Sequence, residues 1–127
     1  YGSETYFYTT SIQANALKAK VVVTPNTGTA TPASTDSRTV YTNTGDTDGS
    51  TVTLPAAATG LQYTIYVDAA QTVTVTAVGD DTIRIGTSET AAAGSITNAT
   101  QGSSVTLTAI SAAKWVATAT VGTAWTF

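Results

Sequence analysis

The sequence predicts an all-β protein: a sandwich or jelly-roll-like barrel of about eight short strands, preceded by an extended N-terminal arm. Three observations carry this. Thirty of the 127 residues are threonine, and hydrophobic residues make up 42%. Threonine is β-branched and stiff at χ1, so it favours strands while offering a hydroxyl to water or a neighbour. Several segments alternate apolar and polar residues with a period of two, the spacing of a sheet with one dry and one wet face. Glycine, proline and aspartate punctuate these runs at short intervals, as turns between short strands require.

The first segment, "YGSETYFYTTSIQANALKAKVVV", differs from the rest. It opens with Tyr1, Tyr6, Phe7 and Tyr8, half of the chain's tyrosines and one of its two phenylalanines. "SIQANALKAK" has helical propensity but too little length to stand as a free helix, and "KVVV" reads as a short strand. "TPNTGTATPASTDS", Thr24 to Ser37, holds two prolines and a glycine and almost no large apolar residue. Such composition marks a linker or long surface loop. The chain therefore divides into an arm and linker over 1–37 and a β-sandwich body over 38–127.

The body reads as strands and turns. "RTVYTN" is a short strand and "TGDTDGS" a turn. "TVTL" ends at Pro55, which lacks the N–H that a ladder needs. "LQYTIYV" places Leu61, Tyr63, Ile65 and Val67 on one face and Tyr66 on the other. "DAAQ" turns the chain. One pattern then occurs twice: "VTVTAVGDDTIRI", starting at Val73, and "VTLTAISAAKWVA", starting at Val105. Each copy reads as a β-hairpin, the second with Trp115, Ala117 and Ala119 facing inward. Between the copies lies a small, polar stretch, a loop interrupted by a short strand near Ser95–Thr97.

Composition excludes several function classes. Charged residues are only 10% and the net charge is −3. Lys18, Lys20, Arg38, Arg84 and Lys114 form no basic run, which argues against nucleic-acid binding. No stretch approaches the roughly 20 apolar residues of a membrane helix, so no membrane partner is expected. Without Cys, Met or His there is no disulfide framework, no thiolate metal site and no familiar nucleophile arrangement. Asp46/Asp48 and Asp80/Asp81 sit in glycine-flanked turns, where aspartate caps nearby backbone N–H groups. "DTDG" at Asp46–Gly49 has the start of a calcium loop but not the later acidic ligand. Asn98 heads an N-glycosylation sequon. No catalytic residue, cofactor or metal is expected, and the chain reads as a non-enzyme.

The aromatic residues point to partners. Three neighbouring aromatics on a strand alternate faces, so one core cannot take Tyr6, Phe7 and Tyr8 together. Tyr1, Tyr6, Phe7 and Tyr8 are therefore candidate partner-binding residues. Trp125 and Phe127 close the chain and are costly to leave in water. With Tyr66 they are candidates for self-association.

From Arg38 to Phe127 the ordered phrases "TLPAA", "GLQYTIYVDAAQTVTVTAVGDDTI", "GSSVTLTAI" and "KWVA" resemble a β-rich module of tailed-bacteriophage virion proteins. The module occurs in head-decoration, head-fibre and tail-fibre proteins. The resemblance implies a non-enzymatic structural protein on the outer surface of a capsid. It implies a homotrimer seated on the major capsid protein, here gripped by the arm. The alternatives are a tail-fibre or receptor-binding module and a subunit of an extracellular filament.

Overall fold

The computed structural model describes residues 18–127. Among them are eleven strands in two mixed sheets closed over one core, an all-β sandwich. They are β1 (Val21–Val23), β2 (Thr29–Ala30), β3 (Thr39–Thr42), β4 (Ser50–Thr53), β5 (Gln62–Tyr66) and β6 (Val73–Thr76). Then follow β7 (Thr82–Ile85), β8 (Ser88–Glu89), β9 (Ser95–Asn98), β10 (Ser104–Ser111) and β11 (Lys114–Val121). The larger sheet runs β1-β3-β5-β10-β11-β7-β8 and the smaller β2-β4-β6-β9. The excess over eight strands comes from β1, β2 and β8, each of two or three residues.

From β1 to β7 the chain alternates strictly between the two sheets. It winds as a two-sided coil, so β1, β3 and β5 pair in parallel on one side. On the other side β2, β4 and β6 do the same. Val21, Val40 and Thr64 stack as neighbours in the larger sheet, and Thr29, Thr51 and Thr74 in the smaller. Parallel neighbours need a long crossover, and here each crossover runs through the opposite sheet. Antiparallel β9 and β10 then close the coil against β6 and β5.

This winding corrects the reading of the first repeat copy. β6 and β7 are not a hairpin; they belong to different sheets, and the turn at Val78–Asp81 is a corner. Period-two alternation fixes which face of a strand is dry, not which sheet holds it. Val75 and Ile83 are buried in the same core from opposite sides. The second copy is a hairpin, β10 with β11. Its inward face departs from expectation at one point. A bulge between the pairs Thr106↔Ala119 and Leu107↔Ala117 inserts Thr118 and turns Ala119 to the outside.

The stretch Thr24–Ser37 is not a free linker. It carries β2 and a 3-10 turn at Ser34–Asp36, and β1 lies against β3 just before it. The hydroxyl of Tyr63 donates to the Ala33 carbonyl at 2.6 Å, and Lys20 pairs with Asp36 at 3.0 Å. Small residues and prolines suit an edge strand that must lie close to its neighbour without adding core volume.

The core joins Val52, Leu54, Val73, Val75 and Ile96 of the smaller sheet side to Tyr63, Ile65, Val105, Leu107 and Trp115 of the larger. Trp115 is fully buried and packs against Tyr63 at a ring-centroid distance of 5.8 Å; Tyr41 meets Tyr63 edge-on at 6.1 Å. Burial, with Asp36 nearby, raises the Tyr41 phenol from 10.0 to about 12 and raises Tyr63 in the same direction.

Candidate functional site

The outward surfaces of the two sheets are the features most open to a partner. Register aligns their side chains in rows. On the larger sheet one row is Val23, Thr42, Tyr66, Ser104 and Val121. The next is Val21, Val40, Thr64, Thr106 and Ala119. Neither row contains a charge. A third row, Gln62, Thr108 and Val116, continues into Arg84 and Glu89.

Much of the polarity of this face is satisfied within it. The hydroxyls of Thr64 and Thr106 bond at 2.9 Å and those of Thr108 and Thr118 at 3.0 Å. Gln62 Nε2 donates to Thr108 at 3.0 Å. The apolar groups are open: Val21 is 60% exposed, Val23 54%, Tyr66 38% and Val121 60%. One cluster of charges sits at a corner. Glu89 accepts from Thr82 at 2.6 Å, Arg84 Nη2 at 2.7 Å and Lys114 at 2.9 Å. The Thr82 hydroxyl, then Lys114 and Arg84, hold its carboxyl at about 2 against an ordinary 4.5.

On the smaller sheet one outward row is entirely threonine: Thr29, Thr51, Thr74 and Thr97, extended by Thr126 through a bridge to Thr97; the next is Thr53, Thr76 and Ser95. The two-sided coil makes this row, since each turn returns a threonine to the same place.

The C-terminal residues divide. Trp125 is buried at 5% exposure, beside β9, where Thr126 exchanges both backbone hydrogen bonds with Thr97. It packs on the body of its own chain, and its indole Nε1 has no hydrogen-bond partner. Phe127 remains 49% exposed. Together with Ile85, Ser88, Thr120 and Thr123 they line an uncharged cleft of about 430 Å³. The structure does not bring Tyr66 into this cleft; Tyr66 stands on the outward face of the larger sheet. Tyr1, Tyr6, Phe7 and Tyr8 lie outside the described residues.

One aspartate serves the fold. Asp81 is buried and its carboxylate accepts from the Ala57 N–H at 2.7 Å. Asp46 is buried while Asp48 is exposed. Asn26 Oδ1 closes the Asp46–Gly49 loop by accepting the N–H groups of Thr47 and Asp48, both at 3.0 Å. Among the described residues no group of three or more acidic side chains converges as a metal site. Nor is any helix among them long and apolar enough to cross a membrane.

Two asparagines hold turns in a way the sequence does not announce. Asn43 is buried; its Oδ1 accepts from Asp68 N–H at 2.7 Å and Ala69 N–H at 3.0 Å. Its Nδ2 donates to the Ala69 carbonyl at 3.0 Å. Asn98, the sequon residue, is also buried, accepting the Thr100 N–H and donating to the Thr123 carbonyl. Its amide is occupied by the fold.

The sequence matches no protein-family model, and no curated protein matches it.

Proposed function

We propose that the protein is a non-enzymatic virion structural protein that decorates or cements the outer surface of a bacteriophage capsid. Its arm grips the major capsid protein, and its body associates with its own copies, as trimers in the resemblance. The observation that carries this reading is the outward face of the larger sheet. It is wide, uncharged in its two main rows, and studded with open valines and a tyrosine. Such a surface suits lasting contact rather than turnover. A protein that binds only the assembled, expanded lattice stabilises that lattice by mass action.

The test is co-sedimentation of the full chain with expanded and unexpanded phage shells. Stoichiometric binding to expanded shells, lost when Tyr6, Phe7 and Tyr8 are all replaced by serine, is the expected result. Equal binding by that variant refutes the arm's role. Absence of the protein from purified particles refutes the reading.

A second reading, a tail-fibre recognition module, is favoured by the uncharged cleft at Trp125 and Phe127. An aromatic wall beside threonine and serine hydroxyls suits a neutral sugar. A glycan array probed with the full chain separates the two: saturable binding abolished by Phe127→Ala supports the second reading, and no binding removes it.

A further inference from the structure

We infer that the outward face of the larger sheet is the contact between copies of this chain, centred on Thr64 and Thr106. The inference rests on the reading of an assembling structural protein and deepens it by naming which surface meets which partner.

Four of the six exposed large hydrophobic residues among those described lie in the two uncharged rows of this one face: Val21, Val23, Tyr66 and Val121. Residues with no charge can meet their own copy without like-charge repulsion, which a symmetric contact would otherwise force. The hydroxyls in the middle are already paired with each other. Taking them out of water therefore leaves few donors or acceptors unmatched, and the usual penalty for burying polar groups is small. Arg84 and Lys114 share the Glu89 carboxylate at the corner and leave a single net positive charge there, as at a polar rim.

The size also fits. Five strands at about 4.8 Å spacing, each with two or three outward residues about 6.8 Å apart, cover roughly 20 by 20 Å. Two such faces remove roughly 800 Å², the size of a small, concentration-dependent contact between proteins. The smaller sheet lacks these features. Its threonine row carries no exposed large hydrophobic residue, so it remains the solvent side.

The test uses the absence of native cysteine. Single cysteines at Thr106 and at Thr74 in the full chain, each carrying a nitroxide, report distances between copies. Sedimentation is expected to give about two to three times the monomer mass, closed by rotation symmetry. Labels at Thr106 then lie close together and those at Thr74 far apart. Thr106→Lys should return the chain to monomer with an unchanged circular dichroism spectrum, whereas Thr74→Lys should leave the oligomer intact.

A chain that stays monomeric at its highest soluble concentration overturns the inference. If the Thr106 label in that monomer is shielded from a soluble relaxation agent, residues 1–17 or another segment of the same chain cover the face instead. Close Thr74 labels and distant Thr106 labels also overturn it, and do so even if the lysine variants fail to fold. An oligomer through this face that never binds shells would leave the inference standing and sink the capsid reading. A monomer that decorates shells would do the reverse.

Discussion

Replacing Asn43 by alanine should cost more stability than any other single polar substitution in the turns. Its side chain bonds the Asp68 N–H at 2.7 Å, the Ala69 N–H at 3.0 Å and the Ala69 carbonyl at 3.0 Å, at a residue only 1% exposed. Alanine removes three bonds worth about 1 kcal/mol each and leaves two N–H groups facing a methyl group. Water can reach part of the turn, so the loss should be about 3 kcal/mol rather than the larger sum with full desolvation penalties. With a urea m-value of about 1.5 kcal/mol/M, the midpoint should fall by about 2 M with the slope unchanged. Tryptophan fluorescence is a direct probe, because Trp115 is fully buried. Asn26→Ala is the companion measurement. Asn26 makes the same kind of clamp on Thr47 and Asp48 at an exposed position, and its loss should be about 1 kcal/mol. If Asn43→Ala and Asn26→Ala are equally mild, the idea that buried asparagine clamps hold the turns is wrong.

Stability should also depend on pH at both ends. Glu89 has a lowered carboxyl pKa, so its contribution is present above 4.5 and is lost as pH falls toward about 2. Glu89→Gln should flatten the dependence of the urea midpoint on pH within that window; an unchanged slope would exclude the residue. Tyr41 has a raised phenol, so its contribution is full below 10.0 and is lost as pH rises toward about 12. Tyrosinate absorbance should therefore rise together with unfolding. At Gly122, φ is +82° and an added Cβ would stand 2.6 Å from Ser103 Oγ and 2.9 Å from Ser103 Cα. Gly122→Ala should cost about 2–4 kcal/mol in thermal unfolding. Gly45→Ala, with φ also +82° but no atom within 4 Å, should cost about 1 kcal/mol.

The strands are legible where alternation is strong. "QYTIY" and "VTVT" show their inward residues directly, and Trp115 is the core residue its neighbours imply. Pro55 stands just beyond a strand end, as its missing N–H requires. The assignment of strands to sheets is less accessible, because alternation is identical in both. A signal is nonetheless present. Thr-x-Thr recurs along the chain, at Thr42–Thr44, Thr106–Thr108 and Thr118–Thr120 among others, and where it starts at Thr29, Thr51 and Thr74 those threonines become stacked neighbours. That spacing is the period of the coil itself. The more conspicuous repeat, from Val73 and again from Val105, joins a corner to a hairpin and reflects no shared topology. The asparagine clamps have no local signature, since Asn43 meets partners 25 to 28 residues further on. Burial of Trp125 beside exposed Phe127 depends on the Thr126–Thr97 bridge, another long-range pairing.

The winding of the first seven strands also sets how the molecule meets a mechanical load. β1 and β2 are the outermost strands of their sheets, and both belong to the first turn of the coil. A pull applied at Lys18 is therefore expected to load these edge strands first and to open their bonds one after another, like a zip fastener. Releasing one turn lengthens the tether by the whole stretch from Val21 to Val40 and exposes the next turn in the same geometry. The hairpin at the far end, joined along eight-residue strands, is expected to stay closed while the first turns give way. The protein would thus yield in instalments when tugged from its beginning and hold fast at its end.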